Sequence, residues 1–123
     1  MRYLIPIFAA VTLATACAND MTSPSVSVAG TWNLRTLNGS SLPYAVGSST
    51  TIMSSQLMLN SDGTYTDVAR YADGNTFTEY GYYTVNNSAI TFNDQTDQLT
   101  YGGSISGSVL TEIGQFTAVY QKD

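Results

Sequence analysis

From Val28 onward, apolar and polar residues alternate one by one, and the alternation is broken at short intervals by Gly, Asn and Asp. Gly30–Leu37 places Trp32 and Leu34 on one face and Asn33 and Arg35 on the other, and Asn38-Gly39 stops the run. This is the period of a strand with one face buried. A longer loop over 40–49 carries Pro43 and Tyr44. Residues 51–60 set Leu57 and Leu59 against Gln56 and Met58, and Asp62-Gly63 then makes a tight hairpin, since Gly takes positive φ freely and Asp bonds back to the chain. Thr64–Tyr71 follows, and Asp73-Gly74-Asn75 is a second such turn. Residues 77–85 form an aromatic strand in which Phe77, Glu79, Tyr83 and Val85 share parity while Tyr80 and Tyr82 face the other way; Gly81 between them is a candidate bulge that shifts the phase. Asn86-Asn87 leads into 89–93, with Ile90 and Phe92 inward. Residues 98–106, Val109–Ile113 and 116–122 complete the set, with turns at Gly107 and at Gly114-Gln115.

No segment of ten or more residues carries apolar positions at helical spacing. The fold class is therefore all-β, an eight-stranded antiparallel up-and-down meander. Closure removes exposed strand edges, so a small barrel is favoured over a two-layer sandwich or an open, clam-like sheet. Periodicity alone does not separate these three.

Ahead of the strands lies a different composition. Met1 and Arg2 open an apolar run, Tyr3 to Leu13, that ends in the small residues Ala14-Thr15-Ala16 before Cys17. The run is shorter than the roughly 20 residues that cross a hydrocarbon core, and it reads as a secretory signal peptide. Leu13-Ala14-Thr15-Ala16-Cys17 resembles the lipobox of bacterial lipoproteins, although the large aliphatic residue stands one place early. That resemblance implies cleavage before Cys17 and acylation of its sulfur; the alternative is cleavage nearby that leaves a free thiol. Three segments follow: a signal peptide over 1–16, an acylated cysteine and tether over 17–27, and one domain over 28–123. Ala18 behind the cysteine matches the outer-membrane sorting pattern of enteric bacteria. The expected location is the cell envelope, as an outer-membrane lipoprotein facing the periplasm.

After removal of 1–16, Arg35, Arg70 and Lys122 stand against nine acidic residues, a net charge of −6. Nucleic-acid binding needs clustered Lys and Arg, which are missing. There is no histidine, and Cys17 is the only cysteine, so the usual general base and the soft metal ligands are absent. No Ser-x-x-Lys spacing or Gly-x-Ser-x-Gly elbow occurs. The remaining catalytic option is a carboxylate pair among Glu79, Glu112, Asp94 and Asp97. Most Asp residues lie at turns, where local hydrogen bonding explains them, and the chain is read as a non-enzyme without a cofactor. Asp62, Asp73 and Asp94-x-x-Asp97 lack the ligand count of a calcium loop, so no metal is expected.

Gly30-Thr31-Trp32-Asn33-Leu34 looks like the opening strand of lipocalins, whose Gly-x-Trp motif seats a tryptophan at the closed barrel end. Stretches 57–65, 81–92 and 101–111 are similar to the hairpins of bacterial lipocalin-like lipoproteins. The chain departs from true lipocalins in being shorter and in lacking their disulfides and a clear helix after the barrel. The resemblance implies a small calycin-type β-barrel that binds one small apolar or amphipathic molecule. It also implies a basic residue over the motif tryptophan, and Lys122 is the only one available in the last strand; otherwise Lys122 simply ends the chain in solvent. Phe77, Glu79, Tyr83, Tyr65 and Tyr101 are the candidate ligand-binding residues, with Glu79 as the polar anchor if its face is inward. With Trp32, Tyr65, Phe77, Tyr83, Phe92, Tyr101 and Phe116 competing for the interior, the expected cavity is small or closed. The alternative is a filled barrel that serves as an inhibitor or assembly module through exposed tyrosines. Oligomeric state and ligand identity are left open.

Overall fold

The computed structural model describes residues 28–123. The expected signal peptide, lipobox and tether, with Cys17, lie outside the described residues. Among the described residues there are ten strands: β1 (Gly30–Leu37), β2 (Ser40–Ser41), β3 (Tyr44–Ala45), β4 (Thr51–Leu59), β5 (Thr64–Tyr71), β6 (Thr76–Asn86), β7 (Ala89–Asp94), β8 (Leu99–Ser106), β9 (Val109–Ile113) and β10 (Thr117–Lys122). Two of them, β2 and β3, are two-residue additions inside the 40–49 connection. The other eight form a closed antiparallel barrel, compatible with a calycin-like fold. Each pairs with its sequence neighbour, and β1 closes the ring by pairing with both β10 and β4.

Trp32 sits at that seam, opposite Lys122 on one side and Leu57 on the other. It is fully buried, and its indole Nε1 donates to the Val28 carbonyl at 2.9 Å. Its neighbours in the core include Leu57, Leu59, Tyr83, Ile90, Phe92 and Leu110. These residues plug the end of the barrel that carries the β4–β5, β6–β7 and β8–β9 turns. Lys122 Nζ lies 5.9 Å from the centroid of the tryptophan ring, so the lysine caps this end. Gly30 makes that possible: its φ is +138°, and a Cβ there would stand 3.0 Å from Lys122 Cε.

The phase of β6 follows from its pairings. Gly81 opposes Tyr65 on β5 and Asp94 on β7, and both registers run through it without a shift. The expected bulge is not there. Gly81 is needed instead for close approach, because a Cβ would come within 2.1 Å of the Asn93 carbonyl oxygen. Glu79 therefore keeps the parity of Tyr83 and faces inward, while Tyr80 and Tyr82 stand on the outer surface, each 56% exposed.

Candidate functional site

The opposite end of the barrel is not plugged. A cavity of about 280 Å³ opens there, lined by Leu37, Ile52, Ser55, Asp67, Ala69, Tyr71, Phe77, Glu79, Tyr101, Glu112, Phe116, Ala118 and Tyr120, among others. Interior competition among aromatic rings predicts a small or closed space. The space is small but open, for two reasons visible in the sequence positions. Phe77 stands at the rim, 46% exposed. The inward positions of β5 and β10 at this level are Ala69 and Ala118, which leave room that larger side chains would fill.

Of the five residues expected at a ligand site, Phe77, Glu79 and Tyr101 line this cavity. Tyr65 and Tyr83 belong to the packed core. Tyr65 makes an edge-to-face contact with Phe92, centroids 5.1 Å apart at 80°. Tyr83 donates its hydroxyl to the Asn60 carbonyl at 2.6 Å, tying β6 to the β4–β5 turn.

The cavity is acidic. Asp67, Glu79 and Glu112 all line it, and no Lys or Arg does among the described residues; Arg35 and Arg70 are exposed outside. Asp67 is the best anchored. Ser55 Oγ donates to its Oδ1 at 2.6 Å and Tyr120 OH to its Oδ2 at 2.7 Å. Burial nevertheless raises its pKa above the ordinary carboxylate value, with the hydrogen bonds opposing and Asp94 adding to the rise. Burial also pushes Glu79 up to about 7, with repulsion from Asp94, Asp67 and Asp97 and a side-chain hydrogen bond shared with Asp94 adding to the rise. Glu112 is pushed to about 8, again first by burial and then by Asp67, Glu79 and Asp94. The hydroxyl of Tyr101 donates to Asp97 Oδ2 at 2.8 Å, and its pKa is raised by burial and by that acceptor.

Beside Glu79 lies Asp94, 1% exposed at the end of β7. Its Oδ1 accepts from the Thr96 backbone N–H at 2.8 Å. Its Oδ2 is buried and accepts from no N–H or hydroxyl, which leaves the neighbouring Glu79 carboxyl, when protonated, as its one possible side-chain donor among the described residues. The local turn reading of the other aspartates holds: Asp62 caps Thr64, Asp73 caps Asn75 and Asp97 caps Leu99.

Two interior carboxylates escape a reading based on turns and aromatics. Asp67 shares the parity of Tyr65, and Asp94 that of Ile90 and Phe92; extending the inward phase of those runs by two residues finds both. Chemically, the site is an amphipathic cup, with apolar walls of Leu37, Ile52, Phe77 and Phe116 around a ring of carboxyls. The chain matches no protein-family model, and no curated protein is significantly similar to it.

Proposed function

We propose that this protein is a membrane-anchored envelope lipoprotein whose lipocalin-like barrel holds one small amphipathic molecule in its open end. The observation that carries the reading is the 280 Å³ cavity that combines aromatic and aliphatic walls with inward carboxyls. A ligand site of this kind is mostly apolar with a few placed polar groups. The carboxyls select the head of the ligand. A protonated Glu79 or Glu112 donates a hydrogen bond, and an ionised one attracts a cation. Neither favours a carboxylate or phosphate head, which would meet repulsion with no basic side chain to offset it.

Anchoring rests on the lipobox-like run before Cys17. Cys17→Ser is expected to move the protein from the membrane fraction to the soluble fraction of the native cell. Unchanged membrane association contradicts the anchor. Native mass spectrometry of protein purified from its own envelope tests the ligand, with a retained small molecule expected and a bare chain counting against it.

The interaction-module reading draws on a separate observation, the exposed Tyr80 and Tyr82 on the outer face of β6. Tyrosine pairs of this kind suit protein contact. The open cup favours the ligand reading, since a pure interaction module gains nothing from four inward-phase carboxylates.

A further inference from the structure

We propose that Glu79, Asp94 and Asp97 form a calcium site at the lip of the cup. The three come from separate places in the chain: Glu79 from the middle of β6, Asp94 from the end of β7, and Asp97 from the β7–β8 turn. One carboxylate oxygen of each lies within 4.8 Å of the others. Turn formation explains only part of this. It occupies Asp94 Oδ1 with Thr96 N–H and Asp97 Oδ1 with Leu99 N–H, and it neither uses the buried Asp94 Oδ2 nor accounts for Glu79 alongside.

A buried carboxylate oxygen with no donor is costly, and a folded protein rarely keeps one. Asp94 Oδ2 is such an atom. Its charge is felt by two further carboxyls, Asp67 on β5 and Glu112 on β9. A cation bound between the three carboxylates satisfies it and relieves the repulsion together. The lip is held in place for this role. Tyr101 OH fixes Asp97 Oδ2, and Thr96 Oγ1 accepts from the Tyr80 backbone N–H, pinning the turn to β6.

The donor set selects the ion. All three ligands are carboxylate oxygens, which suits a hard cation rather than zinc or copper. Three carboxylate oxygens drawn from a strand, a strand end and a turn, all within 4.8 Å of one another, suit the loose oxygen shell of calcium, whereas magnesium demands near-ideal octahedral geometry and keeps most of its water. Asp97 is exposed, so water completes the coordination shell.

The competing occupant is a proton, held on Glu79 and donated to Asp94 Oδ2. Calorimetry, terbium luminescence and thermal unfolding of the purified protein, in calcium and in EDTA, separate the two. The expected result is one calcium per chain, terbium emission sensitised through Tyr101 and displaced by calcium, and a higher melting temperature in calcium than in EDTA. Asp97→Asn, an exposed change that leaves the buried Asp94 untouched, is expected to weaken calcium binding at least tenfold with an unchanged far-UV spectrum. Melting at the same temperature in calcium and EDTA, with no terbium emission, overturns the site. So does equal calcium affinity in Asp97→Asn. Stabilisation by Glu79→Gln in EDTA, with no calcium effect on the parent protein, assigns the shared proton instead.

Discussion

Asp67 and Glu79 stand directly opposite each other on β5 and β6, both facing the inside of the barrel. Two carboxylates in register across a hydrogen-bonded ladder repel when both are ionised. Among the described residues no Lys or Arg lines the cavity to separate them. The acidic end is therefore expected to keep protons on its carboxyls, or to take up a positive charge from outside.

The pH dependence of stability follows directly. Glu79 and Glu112 titrate near 7 and near 8 in the folded state, above the ordinary 4.5. The folded protein thus binds more protons than the unfolded chain between those values. Their contribution is fully present below about pH 4.5 and is lost as pH rises through 7 to 8. In EDTA, the melting temperature is expected to fall from pH 5 to pH 9, and Glu112→Gln is expected to flatten the fall and raise stability at pH 9. A melting temperature that climbs over this range contradicts the assignment.

Gly81 on β6 and Gly102 on β8 both pair with β7, and they differ in how closely the backbone approaches. A Cβ at Gly81 meets the Asn93 backbone at 2.1 Å, whereas one at Gly102 meets nothing within 4 Å. Gly81→Ala is expected to prevent folding or to cost several kcal/mol, in the range of other overpacked sites at about 1–3 kcal/mol or more. Gly102→Ala is expected to leave stability within about 0.5 kcal/mol. Urea unfolding of the two variants side by side checks this, and equal midpoints contradict the β6–β7 register.

Trp32 is the only tryptophan and is wholly buried at the capped end. Its emission is expected to be blue-shifted and protected from iodide. Truncation to Ala is expected to cost about 3–5 kcal/mol, a large fraction of the roughly 5–15 kcal/mol that holds a folded domain together. Emission like that of free indole in water contradicts the placement.

Much of this fold is legible in the chain because its turns are chemically explicit. Asn38-Gly39, Asp62-Gly63 and Asp73-Gly74 carry positive-φ residues where the chain reverses, and the strands between them have clean parity. Closure is not legible in the same way. The double pairing of β1 joins Trp32 both to Leu57, in the next long strand, and to Lys122, at the far end of the domain, and nothing local in Gly30–Leu37 specifies both partners. The site divides similarly. The inward phase of Phe77 and Glu79 follows from alternation, but the meeting of Glu79 with Asp94 and Asp97 depends on the β6–β7 register, which Gly81 permits through a backbone approach that no side-chain pattern records. Tyr65 and Tyr83 share the inward parity yet sit below the cup, because parity gives the face of a strand and not the depth along the barrel.

The central claim, that the open end receives a small amphipath by its non-anionic head, is tested most directly by calorimetric titration of the purified protein in EDTA at pH 7 with octylammonium and with octanoate. The two probes share one apolar chain and differ in charge. Saturable binding of one octylammonium per chain is predicted, with octanoate at least tenfold weaker and with both contacts reduced by Phe77→Ala. No saturable heat from octylammonium with the folded protein, or octanoate binding as tightly, contradicts the account.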